Sequence, residues 1–519
     1  MGSAMTLPSS SSFVNTNPAI EALRSSCTAA LSERIAPTRA TIFEHAFVTY
    51  LLAMGRGVLT PEGTFWLDTD GRAWAPDSTE FLVRIACLAH LPVSSREVEA
   101  ALKGAVKHAC FGASRTEATT LRLAAQGTDG VLYVRASDCS LLRVDATGVT
   151  LAPNGTAGLL VIGGDDFQPL GELPPPSEKP LEPLYNLINR YFRFRDVDEW
   201  AGPVLFALLV VYFLLPRGMA GSRPVLLFLG EGGVGKTTLL RIFLWILWGP
   251  EVRVEAPPDR GGQHDFETLL GTSAVLAIDD PDRGEKAPWL SALVRAATTG
   301  ATRRRRKLYT DTQVIELRPD LRLLVSANEN PFPRSHADTS RLLPIWLEPR
   351  VGEAVPEGEL EAAALALRPQ VWADALELLR RSFVTGQIAT TAVRRLSGFE
   401  IWMATLAHHI AYQPEIERAL DALDIARHKL VLEEHILAEA AEAYAVPGRA
   451  WEGSASKLLE KLRGKTASKR DIRWDGWTAA KIGRVLSEIA PAMLAARGIR
   501  ITQLPRRGSG RLWRIEQVE

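Results

Sequence analysis

The segment Gly230-Glu-Gly-Gly-Val-Gly235-Lys236-Thr237 constrains this chain more than any other. It follows a wholly apolar run, residues 225–229, and leads into a helical pattern that ends near Trp248. The spacing G-x-x-x-x-G-K-[ST] between a strand and a helix has a physical cause. Glycines let successive backbone N–H groups turn inward around an anion, and the helix N-terminus adds partial positive charge. On this reading Gly230, Gly232, Gly233, Val234, Gly235, Lys236, Thr237 and Thr238 cradle the phosphates of ATP. Lys236 reaches the β- and γ-phosphates, and the Thr237 hydroxyl reaches Mg²⁺. Short apolar runs alternate with helices and polar loops from here to about Arg350, which is how a parallel sheet covered on both faces reads.

Such a loop needs partners. Ala274-Val-Leu-Ala-Ile278 is a second apolar strand, and it ends in Asp279-Asp280, 43 residues beyond Lys236. A carboxylate at that strand tip can hold the Mg²⁺ shell, and its neighbour can orient or deprotonate an attacking water. Asp279 is assigned the metal and Asp280 the water. Leu323-Leu-Val-Ser326-Ala327-Asn328 is a third strand, ending in an amide that can hold the water or the γ-phosphate. Thirteen residues later Arg341 precedes another apolar run, where an arginine can complete a neighbouring subunit's site.

The composition agrees. Of 519 residues, 46% are hydrophobic and 23% charged, which excludes a largely disordered chain. Sixty basic and sixty acidic side chains cancel, which excludes a uniformly basic coat protein. The four cysteines form no C-x-x-C pair, so neither a zinc module nor a disulfide framework is expected, and a cytoplasmic setting fits. The apolar run 204–215 is short for a membrane span and reads as a buried helix.

The chain divides on composition into a disordered tail (1–15), an N-terminal α+β domain of unread role (16–172) and a stiff Pro-rich linker (173–183). A nucleotide-binding core with preceding helices (184–350), a helical domain (351–447) and a basic C-terminal domain (448–519) follow. From Arg449 onward sixteen Lys/Arg face seven Asp/Glu. The order there is helix, helix, then two strand-like pieces around Pro505-Arg506-Arg507-Gly508, which is the order of a winged helix. Arg506 and Arg507 would contact phosphate or the minor groove.

Together these elements resemble the superfamily-3 helicases, a branch of the AAA+ ATPases that drives replication in phages, plasmids and small DNA viruses. The resemblance rests on residues 230–237, 275–280, 323–328 and Arg341. It extends to Leu293-Val-Arg-Ala-Ala-Thr-Thr-Gly300 and the run Arg303-Arg-Arg-Arg-Lys307-Leu-Tyr309-Thr-Asp311, which looks like the family's channel-lining β-hairpin. The resemblance implies an AAA+-like P-loop NTPase core and a homo-hexameric ring. Arg305, Arg306, Lys307 and Tyr309 would grip single-stranded DNA. The residues themselves support this, because five consecutive cations need an anion or bulk water, and tyrosine offers a stacking face. The helices at 181–215 and Phe399-Glu-Ile-Trp-Met403 resemble phage and poxvirus-type primase–helicases. Asp68-Thr-Asp70 has the form of a primase metal pair, yet its setting reads better as a hairpin with an Asp-Gly turn, and no Ser-x-His accompanies it.

The expected function is ATP-dependent unwinding of forked DNA, with a separate primase or polymerase as partner and no membrane. Two rivals stand beside it. One is an AAA+ remodeller or nucleic-acid sensor, as in host defence, that does not unwind. The other is a replication initiator that uses ATP as a switch.

Overall fold

The computed structural model describes residues 17–518 except 93, 112–115, 164–166, 257–272, 282–287, 301–302, 307–313, 318–319, 333–335, 350–355, 389–395, 434, 465–473 and 508–509. The chain opens with α1 (Pro18–Ser32) and α2 (Ala36–Met54), followed by a meander of β1 (Gly55–Thr60), β2 (Gly63–Asp68) and β3 (Ala73–Trp74). Then come α3 (Thr79–Leu88) and α4 (Arg96–Phe111). Asn17 and Ser78 cap α1 and α3 by accepting backbone N–H bonds, as their short oxygens suit. The apolar faces enclose Phe43, Phe47, Trp66, Trp74 and Phe81 in a core of their own. Asp68 accepts from Arg72 N at 2.8 Å and from Trp74 Nε1 at 2.9 Å, so this carboxylate of the D-x-D pair is spent on the turn.

Short strands β4 (Thr116–Glu117) and β5 (Thr119–Leu121) lead to an antiparallel sheet of β6 (Ala124–Gln126), β7 (Leu132–Arg135), β8 (Ser140–Asp145) and β9 (Gly148–Pro153), and β10 (Leu159–Val161) pairs back with β5. Leu132, Val134, Leu142 and Val144 on one face of that sheet belong to the same large core as the helices after residue 181. The Pro-rich stretch therefore does not separate two bodies at 172. Ser177 N and Leu181 N donate to the fully buried Asp374 carboxylate at 2.6 and 2.8 Å, and Gln370 Nε2 donates to Pro175 O at 3.1 Å. Proline lacks an N–H but keeps its carbonyl, so the segment is strapped to a helix by the groups it retains.

The central sheet follows α5 (Glu182–Tyr191), β11 (Arg193–Phe194), α6 (Ala201–Tyr212) and α7 (Arg217–Ala220). Every residue of α6 is buried, and among the described residues no helix is long and apolar enough to cross a membrane. The sheet contains β12 (Val225–Leu229), β13 (Val275–Asp279), β16 (Arg322–Ala327) and β17 (Leu342–Glu348) in the order β11-β17-β12-β16-β13, all parallel except β11. An isolated parallel bridge, Glu255 to Ile278, lies against β13. Period-two alternation sends Leu226 and Phe228 to one core and Val225, Leu227 and Leu229 to the other. The first core is shared with α6 and α8 (Lys236–Leu247). The second is shared with α9 (Pro288–Thr299). Between β13 and β16 lie α9 and the hairpin β14 (Arg303–Arg306) and β15 (Val314–Leu317), and α10 (His336–Thr339) precedes β17.

The helical segment expected as a separate domain is packed into the first core. It comprises α11 (Glu357–Thr385), α12 (Ser397–His408) and α13 (Gln413–Leu432), with Trp372, Leu376, Phe399 and Leu420 in that cluster. The C-terminal unit has α14 (Ile436–Tyr444), β18 (Trp451–Ser454), α15 (Ala455–Arg463), α16 (Ala479–Arg497), β19 (Ile499–Arg507) and β20 (Gly510–Gln517), with sheet order β18-β20-β19. Leu437, Ala438 and Ala441 of α14 share its core with Leu458, Ile482 and Trp513. Val431 and Leu432 at the end of α13 join the same core, so packing carries this unit back upstream of residue 448. The β19–β20 register slips between Leu504 and Arg507, where Pro505 has no N–H to give the ladder.

Candidate functional site

The site is built at the carboxyl ends of β12, β13 and β16. Gly230 leaves β12 with φ 148°, and a Cβ there would lie 2.6 Å from Leu347 O, so the loop must cross this close to β17 without a side chain. Gly235 stands at φ 88° over the Phe192 ring and turns the chain directly into α8. α8 thus begins at the loop itself, and the partial positive charge of its N-terminus lies beside it. Gly232, Gly233 and Val234 complete the loop, and the two glycines have open space where a side chain would stand.

Lys236 is 8% exposed, and its Nζ donates to Glu231 O at 2.7 Å and to Asn328 Oδ1 at 3.0 Å. Burial pulls its pKa below the usual lysine value, while the Asp280 and Asp279 carboxylates pull the other way. Thr237 Oγ1 lies 3.1 and 3.2 Å from the two Asp279 carboxylate oxygens. Ser326 Oγ also donates to Asp279, its register partner on β16. One hydroxyl and one carboxylate form a hard oxygen set, the kind that holds Mg²⁺ when phosphates and waters supply the remaining ligands. Among the described residues no cluster of three or more His, Cys, Asp or Glu makes an all-protein metal cage.

Asp280 follows at φ 46°, a conformation that costs a non-glycine residue roughly 1–2 kcal/mol. Its N–H donates to Ser326 O at 2.7 Å, which locks the turn and leaves the carboxylate exposed. Backbone strain held in this way is common where a side chain must be aimed.

The motifs place Lys236, Thr237, Asp279, Asp280 and Asn328 together, and the structure brings them to one sheet end. No motif singles out Ser326. That serine is fully buried, and only the β13–β16 register reveals its contact with Asp279. Arg341 is not brought to this site. Val225 N donates to Arg341 O at 2.9 Å, so Arg341 lies where β12 begins, at the opposite end of the sheet, and it is 9% exposed.

The basic segment between β13 and β16 forms an antiparallel hairpin, with Arg305 opposite Ile315 and Arg306 opposite Val314. Lys307 and Tyr309 fall in 307–313, outside the described residues. In the C-terminal unit Arg506 and Arg507 end β19, and Arg507 pairs with Gly510 across the turn. Lys481 and Arg484 are exposed on the first turns of α16, which Thr478 caps. Lys481 Nζ sits 4.4 Å over the Trp477 ring.

Residues 436–519 match the model of the AICE RepA C-terminal domain family. That span begins at the first residue of α14. No curated protein matches the chain. Two solved structures are similar over most of its length. The apo C-terminal region of NrS-1 shares 11% identity, covers 89% of this chain and 96% of that chain, and gives a TM-score of 0.40. The SCCmec type IV Cch active helicase shares 10% identity, with 90% and 93% covered and a TM-score of 0.45.

Proposed function

We propose that the chain is an ATP-hydrolysing, ring-forming DNA helicase of superfamily-3 type, acting in replication of a phage, plasmid or other mobile element. One observation carries the reading. Lys236 touches Asn328 and Thr237 touches Asp279 at the carboxyl end of a parallel sheet whose order is β17-β12-β16-β13, with the Glu255 bridge outermost. That order, with one strand between the loop strand and the carboxylate strand, is the AAA+ order. The hairpin between β13 and β16 supports the superfamily-3 assignment.

ATP binds in the glycine loop, with Lys236 on its β- and γ-phosphates and Thr237 and Asp279 around Mg²⁺. Asp280 prepares the water and Asn328 reads the γ-phosphate. In a homo-hexameric ring Arg341 serves the neighbouring subunit's nucleotide. Arg305, Arg306, Lys307 and Tyr309 hold the translocating single strand, and the C-terminal unit holds duplex DNA through Arg506, Arg507 and the N-terminal half of α16. The test is ATP-dependent strand displacement on forked DNA, with Lys236→Ala as the control.

The family match of the C-terminal unit favours a second reading, a replication initiator that binds DNA through that unit and uses ATP as a switch. ATP-dependent origin binding without strand displacement would select it.

A further inference from the structure

Three arginines converge on Asp320, at the sheet end opposite the glycine loop. Arg223 donates to its carboxylate through Nη1, Arg322 Nη1 lies 3.4 Å from Oδ2, and Arg217 Nε lies 3.8 Å from Oδ1. The Arg223 and Arg322 side chains are 1% exposed. Two buried cations and a half-buried third around one carboxylate need further negative charge, and two helix ends supply it. Arg322 Nε donates to Phe213 O at 2.7 Å and Arg223 Nη2 donates to Leu215 O, both just past α6. Arg217 donates through Nη1 to Thr298 O at 2.8 Å and through Nη2 to Ala297 O, at the end of α9. The C-terminal carbonyls of a helix together resemble about half a negative charge, so each end offsets part of the excess. Burial raises the Asp320 pKa, but the arginines, Arg223 foremost, outweigh it and hold the carboxyl at about 2.

The position of this knot matters more than its charge. Thr298 lies five residues before β14 and Asp320 three residues after β15. Gly300, at φ 65°, passes so close that a Cβ would lie 2.7 Å from the Arg217 guanidinium. One cluster therefore holds the chain on both sides of the hairpin, at Thr298 and at Asp320. From Arg322 the fully buried β16 runs to Asn328, which holds Lys236. Six strand residues span about 20 Å, with neighbours hydrogen-bonded on both sides, so β16 moves as a rod rather than bending.

We propose that Arg217, Arg223, Arg322 and Asp320 form a positioning cluster that ties both roots of the hairpin to β16, so that a shift of Asn328 at the γ-phosphate moves the hairpin. This rests on the reading of the hairpin as the element that grips single-stranded DNA. None of the four touches the nucleotide site, so the cluster sets coupling rather than chemistry.

The test uses the full chain with Arg217→Ala, Arg217→Lys and Asp320→Asn, and Lys307→Ala/Tyr309→Ala as the hairpin marker. ATP turnover is measured without DNA and across a titration of single-stranded oligonucleotide. For Arg217→Ala and Asp320→Asn, turnover without DNA and the half-stimulating DNA concentration should stay within about threefold of wild type, while maximal stimulation falls by about fivefold or more. Arg217→Lys, which keeps a cation and a donor, should recover at least about half of the lost stimulation. Wild-type stimulation in Arg217→Ala and Asp320→Asn, with stimulation lost in the hairpin marker, overturns the cluster's role and leaves the hairpin reading standing. Wild-type stimulation in the marker overturns the hairpin reading and this proposal with it. Equal loss of turnover with and without DNA in Arg217→Ala, unrelieved by lysine, assigns the cluster to folding alone and also overturns the proposal. If Asp320→Asn does not fold, the two Arg217 variants decide, because that side chain is 21% exposed and tolerates change best.

Discussion

Lys236 and Asn328, 92 positions apart in sequence, meet at 3.0 Å across the ends of adjacent strands. The amide oxygen and the Glu231 carbonyl hold the ammonium where a phosphate would otherwise take it. A ligand phosphate must compete with two neutral acceptors, which release a cation more readily than a carboxylate does.

That contact gives the first prediction. Asn328→Asp places a charge beside the ammonium, so ATP affinity should fall by about tenfold or more. Asn328→Ala should bind ATP near normally and turn it over about 10²-fold more slowly, because one preorganised hydrogen bond is lost. Equilibrium binding of a fluorescent ATP analogue beside single-turnover hydrolysis separates the two effects. Unchanged turnover in both variants would remove Asn328 from the site.

Arg341 is expected to act across an interface. Arg341→Ala should bind ATP and hydrolyse it poorly. Mixing it with Lys236→Ala subunits should restore some activity, since mixed rings contain interfaces with both wild-type residues. The measurement is turnover against mixing ratio, with mixed rings confirmed by mass. No recovery at any ratio counts against a shared site.

The C-terminal unit should bind duplex DNA largely through phosphates. Arg506→Ala with Arg507→Ala removes two cations, so the slope of log affinity against log salt should flatten by up to about two. Adding Lys481→Ala and Arg484→Ala should flatten it further. A slope unchanged in the quadruple variant would place duplex binding elsewhere.

The Pro-rich strap is a stability element. Asp374→Ala leaves the N–H groups of Ser177 and Leu181 without their acceptor, at about 1–3 kcal/mol each. Urea unfolding should show a loss of roughly 2–6 kcal/mol. A change under about 0.5 kcal/mol would mean that the segment hangs free.

Much of the site was legible in the sequence because its strands are wholly apolar runs that end in charged or amide residues, and the loop spacing permits few geometries. Ser326 was not legible, since its role depends on which residue of β13 lies beside it. The division of the chain was harder to read. Consecutive prolines announce a stiff segment, but nothing local says that a carboxylate almost two hundred residues away will bind it. The shift to basic composition at Arg449 suggests a boundary at 448, whereas the small apolar face of α14 commits that helix to the unit that follows. The helices α11 to α13 look self-sufficient by periodicity, and only packing shows that they cover the sheet.

The central claim is that ATP chemistry at Lys236 drives strand separation. Single-turnover strand displacement on a forked duplex with ATP and Mg²⁺, wild type beside Lys236→Ala with matched circular dichroism, tests it most directly. The account predicts displacement by the wild type only when ATP is present, and a rate lower by about 10²-fold or more for Lys236→Ala. Wild-type protein that hydrolyses ATP yet separates no fork of either polarity, or Lys236→Ala that separates strands at the wild-type rate, would contradict it.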